Sequence, residues 1–249
     1  MANHRARSWI IPFLAFSMAY TSFAGAPVDA EQVLGKENDA QTRTPSRLTL
    51  DFDELEIVRP PAGFSAALTG GGPPPSWEIR KDASAPSGTK VLFQVSSDAT
   101  NYRFPICVYE GWSAKDVEVS VRFKPISGQV DQAAGLVWRY QDPDNYYVVR
   151  ANALEDNVVL YKVERGQRSD LKPKGSWFGY GKAAEVPRGM WSVLRVRAQG
   201  SHFDVWLDDE HLFQVEDKTF SEPGRVGLWT KADSVTAFDD LSIQSIDAE

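Results

Sequence analysis

The sequence predicts an all-β fold, an antiparallel β-sandwich, and three observations carry the prediction. From Leu48 onward the chain gives short β-rich runs punctuated by Gly, Pro, Asp and Asn. No apolar stripe at helical spacing is sustained over three turns. Residues 117–123 alternate apolar and polar without a break, as a strand does when one face meets a core and the other meets water.

The elements follow in order. Residues 70–75, GGGPPP, form a loop. In the run 117–123, Val117, Val119, Val121 and Phe123 point inward and Glu118, Ser120 and Arg122 outward. Residues 134–140 and 146–153 flank the turn cluster Gln141-Asp142-Pro143-Asp144-Asn145, which suits a hairpin loop. A third run, 157–164, ends at Arg165-Gly166 and completes a meander. Residues 191–198 and 202–207 pair around Gln199-Gly200-Ser201, and Asp208-Asp209-Glu210 turns the chain into 212–215. The last strands are 227–230 and 235–243. Many short strands at this spacing without intervening helices make a sandwich or barrel.

The first residues differ from the rest. Arg5 and Arg7 precede an almost wholly apolar run at 10–24, which Gly25, Ala26 and Pro27 end. That is a secretory signal peptide, residues 1–24, with cleavage after Ala24. The run is shorter than the ~20 residues a membrane-spanning helix needs; an uncleaved anchor is the alternative. Residues 25–47 are polar and aperiodic, a disordered linker, and 48–249 form the folded domain. The expected location is therefore outside the cytoplasm, periplasmic or extracellular, with no transmembrane segment after cleavage.

Of the 249 residues, 42% are hydrophobic and 24% charged, ordinary for a globular domain, whereas the 12% aromatic content with eight Trp is high. The formal charge of −7 excludes a general affinity for nucleic acid, which needs a basic surface. Cys107 is the sole cysteine, so no intrachain disulfide forms, and its apolar neighbours make it a buried core residue. His202 and His211 are the only histidines past the signal peptide, too few for a multi-histidine metal centre.

Three stretches, GLVWRYQDPDNYYVVRANALEDNVVLYKVERGQR, GMWSVLRVRAQGSHFDVWLDDEHLFQVED and GRVGLWTKADSVTAFDDLSI, resemble the laminin-G-like and glucanase-like branch of the concanavalin A-like superfamily. They are particularly similar to bacterial exported domains grouped as 3-keto-disaccharide hydrolases. The resemblance spans residues 48–246 and implies a concanavalin A-like jelly roll with a carbohydrate or glycoside partner. In the hydrolase chemistry it implies, an oxidised sugar acidifies a neighbouring C–H and a base expels the aglycone. The Glu-x-Asp-x-x-Glu strand common in the superfamily's glucanases is absent here, which leaves the catalytic residues undefined.

Strand alternation nominates two polar sets. Arg195, Arg197, Asp204 and Trp206 fall outward, where an exposed indole beside charged groups could stack on a pyranose; the alternative is a solvated face whose Trp a loop covers. Arg139, Tyr147, Arg150 and Asn152 lie in strands dense with apolar residues, so they either face a cleft or are paired, because an unpaired buried guanidinium is costly. Arg150 and Asn152 share a face by period two, and Arg139 would sit across the hairpin from Tyr147 if the turn centres on Pro143. If the chain is an enzyme, Asp204, Glu118 and His202 are the available bases. No cofactor is implied; Asp239 and Asp240 could meet Asp51 and Asp53 at the paired chain ends and hold a structural calcium ion, although the spacing matches no recognised loop. Three readings stand: a lectin-like binding module, which leads; a glycoside-processing enzyme; and a structural or interaction domain of the cell envelope. The sugar and the oligomeric state are open.

Overall fold

Period-two alternation becomes two antiparallel sheets packed face to face. The computed structural model describes residues 46–57, 59–176 and 180–246, so the expected signal peptide and nearly all of the expected linker lie outside the described residues. Among the described residues there are strands and turns and no helix. In chain order the strands are β1 (Arg47–Leu50), β2 (Phe64–Gly70), β3 (Trp77–Lys81), β4 (Lys90–Gln94), β5 (Arg103–Ala114), β6 (Val117–Ser127), β7 (Ala133–Asp142) and β8 (Asn145–Asn152). Then follow β9 (Asn157–Glu164), β10 (Gln167–Asp170), β11 (Lys182–Ala183), β12 (Ser192–Gln199), β13 (His202–Leu207), β14 (Glu210–Glu216), β15 (Gly224–Trp229) and β16 (Val235–Ser245).

The first sheet runs β14-β13-β12-β6-β16-β4-β3, with β1 also on β16; the second runs β10-β9-β8-β7-β15-β5-β2, with β11 also on β9. As the alternation requires, Val117, Val119, Val121 and Phe123 of β6 are buried, with Leu194, Val196 and Ala198 of β12 beside them. They share one core with Leu136, Trp138, Tyr147, Val149 and Leu160 from the second sheet. Cys107 lies in this core, and burial pushes its thiol up, far from a reactive thiolate. The chain ends of the domain meet as expected: β1 pairs antiparallel with β16, Leu50 opposite Leu241.

The β7–β8 hairpin departs from expectation. β7 runs to Asp142 and β8 starts at Asn145, leaving Pro143-Asp144 as a two-residue turn. Opposite Tyr147 stands Trp138, not Arg139, because a bulge between Trp138 and Asp142 puts extra residues on β7. Arg139 takes φ 46° there. Gly224 of β15 lies against this kink; a Cβ on it would come within 2.4 Å of the Arg139 carbonyl carbon. Both polar side chains of this pair turn inward. Arg139 donates from Nε to the Lys115 carbonyl (2.8 Å) and from its two terminal nitrogens to the carbonyls of Phe220 (2.8 Å) and Gly200 (2.6 Å). Tyr147 donates to Asp217 (2.6 Å) and accepts from the Phe220 N–H.

The second sheet also buries its outer face. Phe104, Ile106, Val137, Tyr146, Val148, Tyr161 and Trp229 form a second apolar cluster there. The sheet curls until distant strands touch: Thr69 of β2 donates to the Pro143 carbonyl and meets the Tyr146 hydroxyl at 2.8 Å. Tyr102, just before β5, donates to the Gly166 carbonyl (3.0 Å) and accepts from Arg168 N–H of β10 (2.7 Å).

Arg139 holds three loop carbonyls that would lose their donor together, so Arg139→Met should cost about 3 kcal/mol of stability in urea unfolding. A loss below about 1 kcal/mol would show that water satisfies those carbonyls and that the clamp is dispensable.

Candidate functional site

The outer face of the first sheet carries the Trp206 set in the expected places. Arg195 is in register with Trp206 on β13 and with Ser120 on β6; Arg197 is in register with Asp204 and Glu118. The groups satisfy one another. Glu118 lies 3.5 Å from Arg195 and 4.0 Å from Arg197. Asp204 accepts from Gln214 and contacts His211 Nε2 at 2.9 Å. The Arg195 guanidinium sits 4.0 Å above the Trp206 ring, and His211 approaches it edge-on. One face of the indole is thus already occupied by a cation. His202 is exposed at the hairpin end, 3.8 Å from Glu216.

The acidic residues near the chain ends gather around one turn, where they accept from it. Asp53 accepts from the N–H groups of Thr89 (2.8 Å) and Lys90 (3.0 Å), and Asp51 from that of Asp53. Asp239 accepts from Ser87 N–H, while Asp240 takes the Ser87 hydroxyl and lies 3.0 Å from Arg122. Among the described residues no three His, Cys, Asp or Glu side chains stand where they could share a metal ion. Asp239 is fully buried, and that burial pushes its carboxyl up to about 7, with the nearby Asp240 and Asp53 adding to the shift.

On the curled second sheet, Arg150 and Asn152 share the outer face, as their spacing requires. Arg150 is wholly buried. It forks onto Glu155 (2.9 and 3.3 Å) and reaches the Asn157 amide oxygen (2.5 Å), yet its Nε has no hydrogen-bond partner. Asn152 donates to Asp131 (2.6 Å), and Asp131 in turn pairs with Lys231. Burial pushes the Asp131 carboxyl up, against the pull of Lys231 and Arg150. Asp233 holds the approach to this cluster by accepting from the N–H groups of Gln129, Val130 and Asp131. Aromatic rings surround the polar groups. The Arg150 guanidinium is 5.7 Å from the ring centres of both Tyr161 and Tyr180, and Tyr180 is 46% exposed. Arg168 lies between Phe104 and Tyr161, 4.6 and 4.5 Å from their centres.

The structure therefore splits the hairpin set in two. Arg150 and Asn152 face this aromatic-lined cluster, whereas Arg139 and Tyr147 serve the core side. Sequence reasoning missed Asp131, Glu155, Asn157, Arg168, Tyr180 and Lys231. Arg168 was open to parity, since it alternates with Asp170 on β10; the others sit in loops or at strand ends, where no period marks them.

With this geometry in view, comparison with known proteins places the architecture. No family model matches the sequence, and no match to a curated protein is found. A carbohydrate-binding module, CBM66, from Bacillus subtilis is similar in structure, with a TM-score of 0.55 and 20% identity over 74% of this chain and 96% of that one. The fold is an antiparallel β-sandwich of the kind that module has. Looser likenesses include a glycosyl hydrolase, so described provisionally, from Parabacteroides distasonis (TM-score 0.43, 12% identity, 74% and 94% covered) and the Caenorhabditis elegans galectin LEC-6 (0.37, 12%, 67% and 95%). Neither is close enough to argue from.

The Asp239 carboxyl gives a pH signature. Its folded pKa lies above the unfolded value, so folding favours the protonated form; its contribution is full below about pH 4 and is lost as pH rises to about 7. Unfolding of Asp239→Asn followed in urea should therefore show its stability, relative to the unaltered chain, rising from pH 4 to 7 and level above. A constant difference across that range would mean that Asp239 is ionised in the fold.

Proposed function

We propose that this protein is an exported carbohydrate-binding module that receives its sugar beside Arg150 on the outer face of the second sheet. One observation carries the reading: a wholly buried guanidinium, fixed by Glu155 and Asn157, keeps a donor without a partner next to an exposed aromatic ring. A buried donor left unmade costs about 1–3 kcal/mol, which a ligand hydroxyl would restore. Fixed polar groups set in an aromatic surround are the usual composition of a small-ligand site, and Glu155 and Asn157, which reach the surface beside Arg150, supply acceptors and a donor for further hydroxyls. The module from B. subtilis that shares the fold accords with this reading, and the apolar, Arg-preceded run at residues 10–24 supports export.

The other polar face fits less well. Arg195, Arg197 and Trp206 are already engaged with Glu118 and with each other, and exposed pairs of this kind are worth less than about 1 kcal/mol. A glycoside-processing activity of the 3-keto-disaccharide type would need its base from Asp204, Glu118 or His202. Asp204 and Glu118 are held by neighbouring side chains and His202 stands in solvent beside Glu216, so none of the three is poised over a cleft.

The test is calorimetry of the mature chain against a panel of oligosaccharides, with released products followed in parallel. Saturable binding without turnover is expected. Tyr180→Ala, at an exposed position, should weaken it at least about tenfold with the melting temperature unchanged, while Trp206→Ala should leave it intact. Binding lost in Trp206→Ala and kept in Tyr180→Ala would move the site to the first sheet, and product release would make the protein an enzyme.

A further inference from the structure

We infer that the site on the second sheet selects an anionic saccharide, with Arg168 as the residue that receives the negative group; this rests on the sugar-binding reading above. Around Tyr161, neighbouring cations are each matched by a carboxylate. Arg150 is matched by Glu155, Lys231 by Asp131, and Asp170 by Lys172. Asp233 is held by three backbone N–H groups. Arg168 has no carboxylate within ion-pair reach among the described residues. Its guanidinium is set between the faces of Phe104 and Tyr161, and its NH1 is buried without a hydrogen-bond partner.

Ring faces attract a cation but accept no strong hydrogen bond, so the stack fixes the plane of the Arg168 fork while leaving donors unused. The second unpartnered donor, Nε of wholly buried Arg150, lies against the same Tyr161 ring. Two guanidinium groups with unpartnered N–H groups thus lie against one aromatic ring, and of the two only Arg150 is matched by a carboxylate. An oxyanion is the complement of the Arg168 fork, because a hydrogen bond between a charged donor and a charged acceptor adds ion pairing that a neutral hydroxyl cannot supply. The chain's formal charge of −7 opposes any general attraction for polyanions, so such a preference has to come from this local fork.

The experiment compares the affinity of the mature protein for three oligomers of equal length: a neutral galactan, an oligogalacturonate and a sulfated galactan. An acidic oligomer should bind at least tenfold more tightly than the neutral one, with affinity falling as salt is raised; whichever acidic arm wins identifies carboxylate or sulfate as the anion. Arg168→Gln should erase the preference for the acidic oligomer, and Arg168→Lys, which retains charge and stem but loses the fork, should restore part of it. Unchanged melting temperatures in either variant keep the comparison valid. Equal affinity for neutral and acidic oligomers in the unaltered protein would overturn the anion selectivity while leaving sugar binding in place. A preference that survives Arg168→Gln would remove Arg168 from the role, and silence toward all three would defeat both readings.

Discussion

Arg139 sits in the middle of β7 with a positive φ, a conformation a bulky side chain adopts only when its surroundings impose it. The imposition comes from two sides: the backbone of Gly224 presses into the kink, and three loop carbonyls draw the guanidinium inward over Phe203. The bulge shifts the register of the β7–β8 hairpin, and bulges bend the strand that carries them. β15 is irregular at the same level, between Arg225 and Gly227. With both central strands kinked, the second sheet curls, and the curl creates the second apolar cluster with the polar groups at its margin. Without it, Tyr161 and Trp229 would face water as isolated rings.

The two sheets solve the same problem differently. The first keeps a wet outer face whose charged groups neutralise one another across adjacent strands. The second dehydrates its outer face, and in a dehydrated setting each unmatched polar atom weighs more. That difference, and not the number of polar residues, separates a solvated surface from a site. Trp206 beside Arg195 and Tyr161 beside Arg168 look alike in sequence, both being aromatic-cation pairs on alternating strands. They diverge because Arg195 has Glu118 for a partner and Arg168 has only rings.

What could be read from the sequence follows the range of each signal. The pairing of the chain ends followed from the sandwich class, whereas the sandwich class itself, the inward set of β6 and the meander depend on period two and on turn residues, which are local. The sharing of a face by Arg150 and Asn152 was legible for the same reason. The register of the β7–β8 hairpin was not, because Gly224, far along the chain, sets it. Nor was the curl: alternation tells which side chains leave a sheet together, but not whether the sheet then bends to enclose them. Asp131, Lys231 and Asp233 escaped notice because they occupy loops that only the folded register of β7 and β15 brings beside Asn152.

The order of strands carries a consequence for how such a chain is made. β16, the last strand, lies in the interior of the first sheet, flanked by β6 on one side and by β4 and β1 on the other. β15, the one before it, lies in the interior of the second, between β7 and β5. A domain emerging from its N-terminal side therefore holds four separate fragments of sheet with no strand to join them until β15 and β16 are free. Contacts of this sequence separation form slowly. The keystones of both sheets follow every other strand of the domain, so the fragments can close into a sandwich only once β15 and β16 are in place.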